Sequence, residues 1–162
     1  MTMTKRAFAL LAASAALALA GCASTPAPAT ITDTAARTPQ LSTLTKLLND
    51  AGLADTLRGA GPFTVFAPSD EAFKAVPAAT MEQLAKDKAL LASVLSYHVI
   101  PARVTSADVK TGNVKTVQGA NVAVSKAGTF VTVEDAVVTR ADVAATNGVV
   151  HVIDKVLMPP RR

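Results

Sequence analysis

The sequence predicts an α+β fold, on three observations. From Leu41 to about Leu95, apolar residues recur at helical spacing. After Pro101 the pattern changes to alternation between apolar and polar residues. Helices lead and strands trail, where an α/β chain would interleave them.

The elements follow in order. Leu41, Leu44, Leu47 and Leu48 make the stripe of an amphipathic helix that Gly52 ends. Leu53 to Leu57 adds a second short helical turn before Gly59-Ala60-Gly61-Pro62 breaks the chain. Phe63-Thr64-Val65-Phe66-Ala67 is a β-rich run stopped by Pro68. Ser69 then caps a helix with Asp70 and Glu71 in its first turn, where negative charge meets the positive end of the dipole. Thr80-Met81-Glu82-Gln83 reads as a capping box, and Asp87 caps a helix with Leu90, Leu91, Val94 and Leu95 on one face. Val114 to Gln118, Val122 to Lys126 and Thr129 to Glu134 are strand candidates, and Ala136 to Thr139 is a fourth. Asn147-Gly148 is the strongest turn signal, and Val149 to Leu157 is the final strand.

The first residues have a different character. Lys5 and Arg6 precede an Ala/Leu run from Ala7 to Ala20. That run falls short of the about 20 apolar residues a spanning helix needs, and reads as a secretory signal. Leu19-Ala20-Gly21-Cys22 resembles the lipobox of bacterial lipoproteins, whose peptidase cuts before a cysteine that carries the diacylglycerol thioether. Cys22 is the only cysteine, so it has no intramolecular disulfide partner. The expected division is a signal peptide over 1–21, a flexible Ala/Pro/Thr tether over 22–37, and one domain over 38–160. As a coil, that tether holds the domain on the order of 20 Å from the membrane.

Charge narrows the function classes. The chain carries a formal net charge of +4, and removing residues 1–21 takes away Lys5 and Arg6 and no acid. Fourteen basic against twelve acidic side chains remain, with one Tyr, no Trp and no basic cluster except Arg161-Arg162. A nucleic-acid partner would need a dense basic face with stacking aromatics, so nucleic acid is excluded as a partner. No Gly-x-Ser-x-Gly elbow or phosphate-binding glycine loop appears, and lipidation consumes the one thiol. Neither His98 nor His151 sits in a metal-ligand spacing, so no metal or cofactor is implied.

Three segments in this order resemble the fasciclin-domain family. Gly61-Pro62-Phe63-Thr64-Val65-Phe66-Ala67-Pro68-Ser69-Asp70-Glu71-Ala72-Phe73 is similar to its first signature block. Leu95-Ser96-Tyr97-His98-Val99-Ile100-Pro101 is similar to its central Tyr-His segment. The run from Thr146 to Pro160 is similar to its second block. The resemblance implies a wedge of about seven strands packed with several helices. It also implies a non-enzymatic adhesion or protein-interaction module, here membrane-anchored through Cys22 in the cell envelope and facing periplasm or exterior. The implied partner is a surface or matrix protein or a glycan. The alternative is a binder holding a small hydrophobic ligand between helices and sheet.

Site residues are carried over one by one. The Tyr97-His98 segment has an adhesive role in animal members of the family; the competing reading is that both residues, and His151, are scaffold groups within Val/Ile/Leu runs, strand-like around the two histidines. In some animal members an Asp-Ile pair before the second block is an integrin-recognition motif, and Asp142-Val143 holds that place here. An exposed carboxylate beside an aliphatic residue suits a metal-bridged receptor grip. This chain has Val143 for Ile and Arg140-Ala141 upstream, and the competing reading makes Asp142 a solvated turn residue.

Overall fold

The computed structural model describes residues 29–160. Six helices come first in the chain, α1 (Ile31–Arg37), α2 (Ser42–Asp50), α3 (Ala54–Arg58), α4 (Asp70–Ala75), α5 (Ala78–Lys86) and α6 (Lys88–Tyr97), with β1 (Phe63–Pro68) between α3 and α4. Six strands follow, β2 (Val99–Ile100), β3 (Gly112–Lys115), β4 (Asn121–Ala127), β5 (Phe130–Val133), β6 (Ala136–Ala145) and β7 (Gly148–Ile153). They form one seven-stranded sheet in the order β2-β1-β7-β6-β5-β4-β3. Only β1 and β7 run parallel; every other neighbouring pair is antiparallel.

The sheet curls until its two edges nearly meet. Beyond β3, the Val117 N–H donates to the Val99 carbonyl of β2 at 2.8 Å, and the Gln118 N–H reaches Ser96 at 3.3 Å. The curl makes two cores, because side chains alternate across each strand. Val65 and Ala67 of β1 and Val150 and Val152 of β7 face the helices, packing with Leu44, Leu48, Leu91 and Leu95. Phe66 and Ile153 face the other way, meeting Val122, Val124, Val131 and Val133 across the hollow of the sheet. All six residues of β7 are buried, as two-sided apolarity requires of a central strand.

Several local expectations hold. Ser69 caps α4 by accepting from the Ala72 N–H at 3.2 Å, and Asp87 caps α6 through the N–H groups of Ala89 and Leu90. Gly52 leaves α2 at φ +70°, a left-handed conformation that suits glycine.

Others are corrected. Residues 31–37, expected as tether, form helix α1. Thr30 and Asp33 make a reciprocal capping box there, and Ile31 and Ala35 are buried against the helical core. The folded chain is therefore continuous from Ala29, whose carbonyl accepts the Thr146 N–H at 2.9 Å. Residues 1–28, with the signal, Cys22 and the first part of the tether, lie outside the described residues. The capping box at Thr80 does not form: α5 starts at Ala78 behind Pro77, which leaves Thr80 inside the helix. β6 extends to Ala145, well past the Thr139 expected, and β7 ends at Ile153.

Candidate functional site

The bulge in β6 brings the sequence-predicted Asp142 to a specific place. Between Arg140↔Val152 and Val143↔Val150 the register slips, so Ala141 and Asp142 together face the single residue His151. Asp142 takes φ +56°, which Asp tolerates better than most residues. Its backbone N–H donates to His151 Nδ1 at 3.2 Å. The other ring nitrogen, Nε2, lies 2.8 Å from the Val104 carbonyl. A carbonyl only accepts, so Nε2 carries the proton and the imidazole is held in one tautomer. The ring is buried and stacks on Phe66, centroids 5.7 Å apart.

The Asp142 side chain works in the opposite direction from its backbone. Its carboxylate accepts the Ser106 N–H at 2.7 Å and the Ser106 hydroxyl. Partial desolvation raises the carboxyl, but these two hydrogen bonds outweigh it and hold the pKa below the usual 3.8. Thr64 of β1 completes the fastening: its hydroxyl donates to the Ala102 carbonyl at 2.6 Å and accepts the Val104 N–H at 2.8 Å. Residues 102–109 are thus a strap across the sheet, gripped by Thr64, His151 and Asp142, with Val104 and Val109 turned into the inner core. Arg140, Ala141 and Asp142 stay exposed beside it, while Val143 is half-buried against the helical core.

Tyr97 and His98 are brought to different places. The strand-like run expected around His98 begins one residue later: Tyr97 ends α6 and His98 is its C-cap. The Tyr97 ring is buried in the inner core, and its hydroxyl donates to the Glu134 carboxylate, with the Asn121 carbonyl 3.1 Å away. Burial, then the bond to Glu134 and its charge, push the phenol pKa far above its ordinary 10. His98 is buried with Nδ1 2.8 Å from the Val94 carbonyl, so Nδ1 carries the proton. Nε2 accepts the Leu157 N–H at 3.0 Å, which pins the chain leaving β7 onto the end of α6. Burial pushes its pKa from 6.5 down to about 4, against a smaller opposing effect of the Val94 carbonyl.

At the start of β1 and β7 sits a third constellation. Asn147 Nδ2 donates to the carbonyls of Leu57 at 2.6 Å and Gly59 at 3.0 Å, and Oδ1 accepts the Ile31 N–H at 3.0 Å. Its backbone carbonyl takes the Phe63 N–H at 3.0 Å. Gly148 serves close approach and not turn geometry: a Cβ there would lie 1.8 Å from the Phe63 carbonyl oxygen. Likewise a Cβ on Gly61 would lie 2.0 Å from the Asn147 carbonyl oxygen.

These geometries fix what the polar groups can do. The Ser106 hydroxyl is given to Asp142 and not to an imidazole, and both His151 nitrogens are held by backbone groups. Among the described residues no three His, Cys, Asp or Glu side chains converge where a metal ion could sit. An apolar hollow lined by Leu53, Leu57, Phe63, Val99 and Val117 measures only about 30 Å³. Ligand pockets run to about 300–1,000 Å³, so this hollow is far too small for one. A larger cleft of about 490 Å³ opens beyond the far ends of β1 and β7, lined by Asp70, Glu71, Lys74 and Asp154 among others. Sequence reasoning missed Ser106, Thr64, Glu134 and the hub role of Asn147. For Ser106 a signal existed, since Thr105-Ser106-Ala107-Asp108 is a side-chain-bonded turn, Thr105 Oγ1 donating to Asp108 at 2.7 Å.

Comparison with known proteins agrees with this architecture. The fasciclin domain profile matches residues 39–159. Protein sll1483 of Synechocystis is 42% identical over 140 residues, covering 85% of this chain and 78% of that protein. The immunogenic protein MPB70 of Mycobacterium bovis is 40% identical over 131 residues, covering 78% of this chain and 67% of its own length. The cell surface glycolipoprotein MPB83 of the same species is 43% identical over 131 residues; the match covers 78% of this chain and 59% of MPB83. The solved FAS1 domain pair of the insect cell adhesion molecule Fasciclin I superposes with a TM-score of 0.61 at 29% identity, over 73% of this chain and 45% of the insect chain. With the matched profile, the curled seven-stranded sheet and the helices packed on it, the chain belongs to the fasciclin-domain family.

Proposed function

We propose that the protein is an extracytoplasmic adhesion or protein-interaction module without catalytic activity, held at a membrane by lipid on Cys22. The observation that carries the reading is the bulge at Arg140-Ala141-Asp142. It is exposed, yet its backbone is fixed by His151 and its carboxylate by Ser106. A surface ordered before binding loses little conformational entropy when a partner docks. Two of the roughly four acceptor positions on the Asp142 carboxylate remain for a partner protein or glycan hydroxyl. Support also comes from the relatives, which include a cell adhesion molecule and a cell surface glycolipoprotein.

Two experiments test it. Ala141→Arg places a long charge on an exposed position, so melting should be unchanged while capture of surface or matrix partners, and cell attachment, are lost. Unaltered attachment would move the partner surface elsewhere. Separately, Cys22→Ser should release the protein from the membrane fraction, and equal membrane association of that variant would defeat the anchor.

A further inference from the structure

We propose that the Asn147 end of the domain lies against the lipid headgroups, with the cleft at the far ends of β1 and β7 turned away from them. The proposal rests on the lipid anchor at Cys22. Its starting point is where the chain enters the fold. The Ala29 carbonyl accepts both the backbone N–H and, at 3.3 Å, the hydroxyl of Thr146, and Ile31 is fixed by Asn147. Only residues 22–28 therefore separate the lipidated cysteine from a fastened point, in place of the sixteen expected from sequence.

Seven residues reach about 25 Å at full extension, and as a coil about 15 Å. A folded unit of this size is roughly 36 Å across. A link shorter than the body it holds sets which end of that body meets the surface. That end consists of the Thr146-Asn147 loop, the Ala60-to-Pro62 segment and Arg103, which together line a shallow hollow of about 320 Å³. Arg103 is exposed and makes no ion pair among the described residues, so its guanidinium is available to a lipid phosphate in the planar, bidentate way arginine favours. β1 and β7 run parallel away from this end, Phe63 and Gly148 at its side, Pro68 and Ile153 at the other. Six residues of strand put about 17 Å between the two ends, and the cleft lined by Glu71 and Asp154 lies at the distal one.

The test uses the full-length lipidated protein in vesicles of equal parts phosphatidylcholine and phosphatidylglycerol. Flotation comes first, then the rate at which a bulky water-soluble maleimide labels an introduced thiol. Ala60→Cys, at the proposed contact, should label several-fold more slowly than Glu71→Cys, at the distal cleft; both positions are exposed in the fold itself. In the Cys22→Ser background, in solution, the two thiols should label alike. Arg103→Glu should restore much of the labelling at position 60. Protein that floats while both thiols label equally overturns the orientation and leaves the anchor standing. Protein that does not float overturns the anchor, and the orientation with it.

Discussion

The side-chain amide of Asn147 accepts the Ile31 N–H at 3.0 Å, across 116 residues of chain, while its nitrogen holds the end of α3. One residue thereby ties α1, α3, β1 and the β6–β7 loop together. Asn147→Ala should leave the Leu57 carbonyl, inside the fold, without its partner and cost about 1–3 kcal/mol. Asn147→Asp should be no milder, because it turns a carboxylate oxygen toward two carbonyls. Thermal melts of both variants check this, and a melting temperature equal to wild type in either would refute the hub role.

Stability should fall with acid in two steps. His98 binds a proton readily when unfolded, near 6.5, and only at about 4 in the fold, so its contribution is complete above the first value and lost as pH falls toward the second. The full difference is about 3 kcal/mol. Asp70 and Asp142 are held below 3.8, so the stability they add is present above that value and disappears only at lower pH. Denaturant unfolding of wild type and His98→Gln from pH 7 to 4 separates the steps. The variant, less stable at neutral pH, should show a much flatter profile in that window.

Tyr97→Phe should cost about 1 kcal/mol, since exposed Glu134 finds water in place of the phenol. Tyr97→Ala empties part of the inner core and should cost about 3–5 kcal/mol. Partner capture by a folded Tyr97→Phe protein at wild-type level is expected of a scaffold tyrosine. Loss of capture at unchanged stability would assign the hydroxyl to the partner surface.

Gly148→Ala should prevent folding. The new methyl would occupy the Phe63 carbonyl oxygen, so β1 and β7 would have to part along their first pair. Overpacking against backbone exceeds the about 1–3 kcal/mol typical of core side chains, which can shift. Soluble expression with native circular dichroism would contradict the close approach.

What the sequence disclosed was local. The Ser69 and Asp87 caps, the Gly52 stop and the two-sided burial of β7 all depend on residues within a turn or on strict alternation, and all were readable. Helix α1 is hidden by composition: Ile31 and Ala35 are its only buried apolar residues, beside the buried threonines Thr32 and Thr34, although Thr30-Ile31-Thr32-Asp33 carries the capping signature. β6 was cut short because its bulge interrupts the alternation at Arg140-Ala141-Asp142, where the proposed partner surface lies. The turn signal at Asn147-Gly148 marks the right place one residue late: the loop is Thr146-Asn147, and Gly148 begins the strand. Ile31 on Asn147, Leu157 on His98 and Ser106 on Asp142 are partners 116, 59 and 36 residues away, a range over which no periodicity carries information.

The position of β7 bears on how such a chain is made. This interior strand is the last of the domain to be made, and its parallel neighbour β1 lies 85 residues earlier. Until Gly148 to Ile153 has emerged, β1 lacks the partner that covers its whole length, and β6 lacks the strand that defines its bulge. Pairing at such separation is slow, because the intervening loop must close first. The domain therefore stays open until its last strand has been synthesised. If the chain reaches its proposed extracytoplasmic place through a translocation channel, that delay keeps the domain threadable until β7 has emerged.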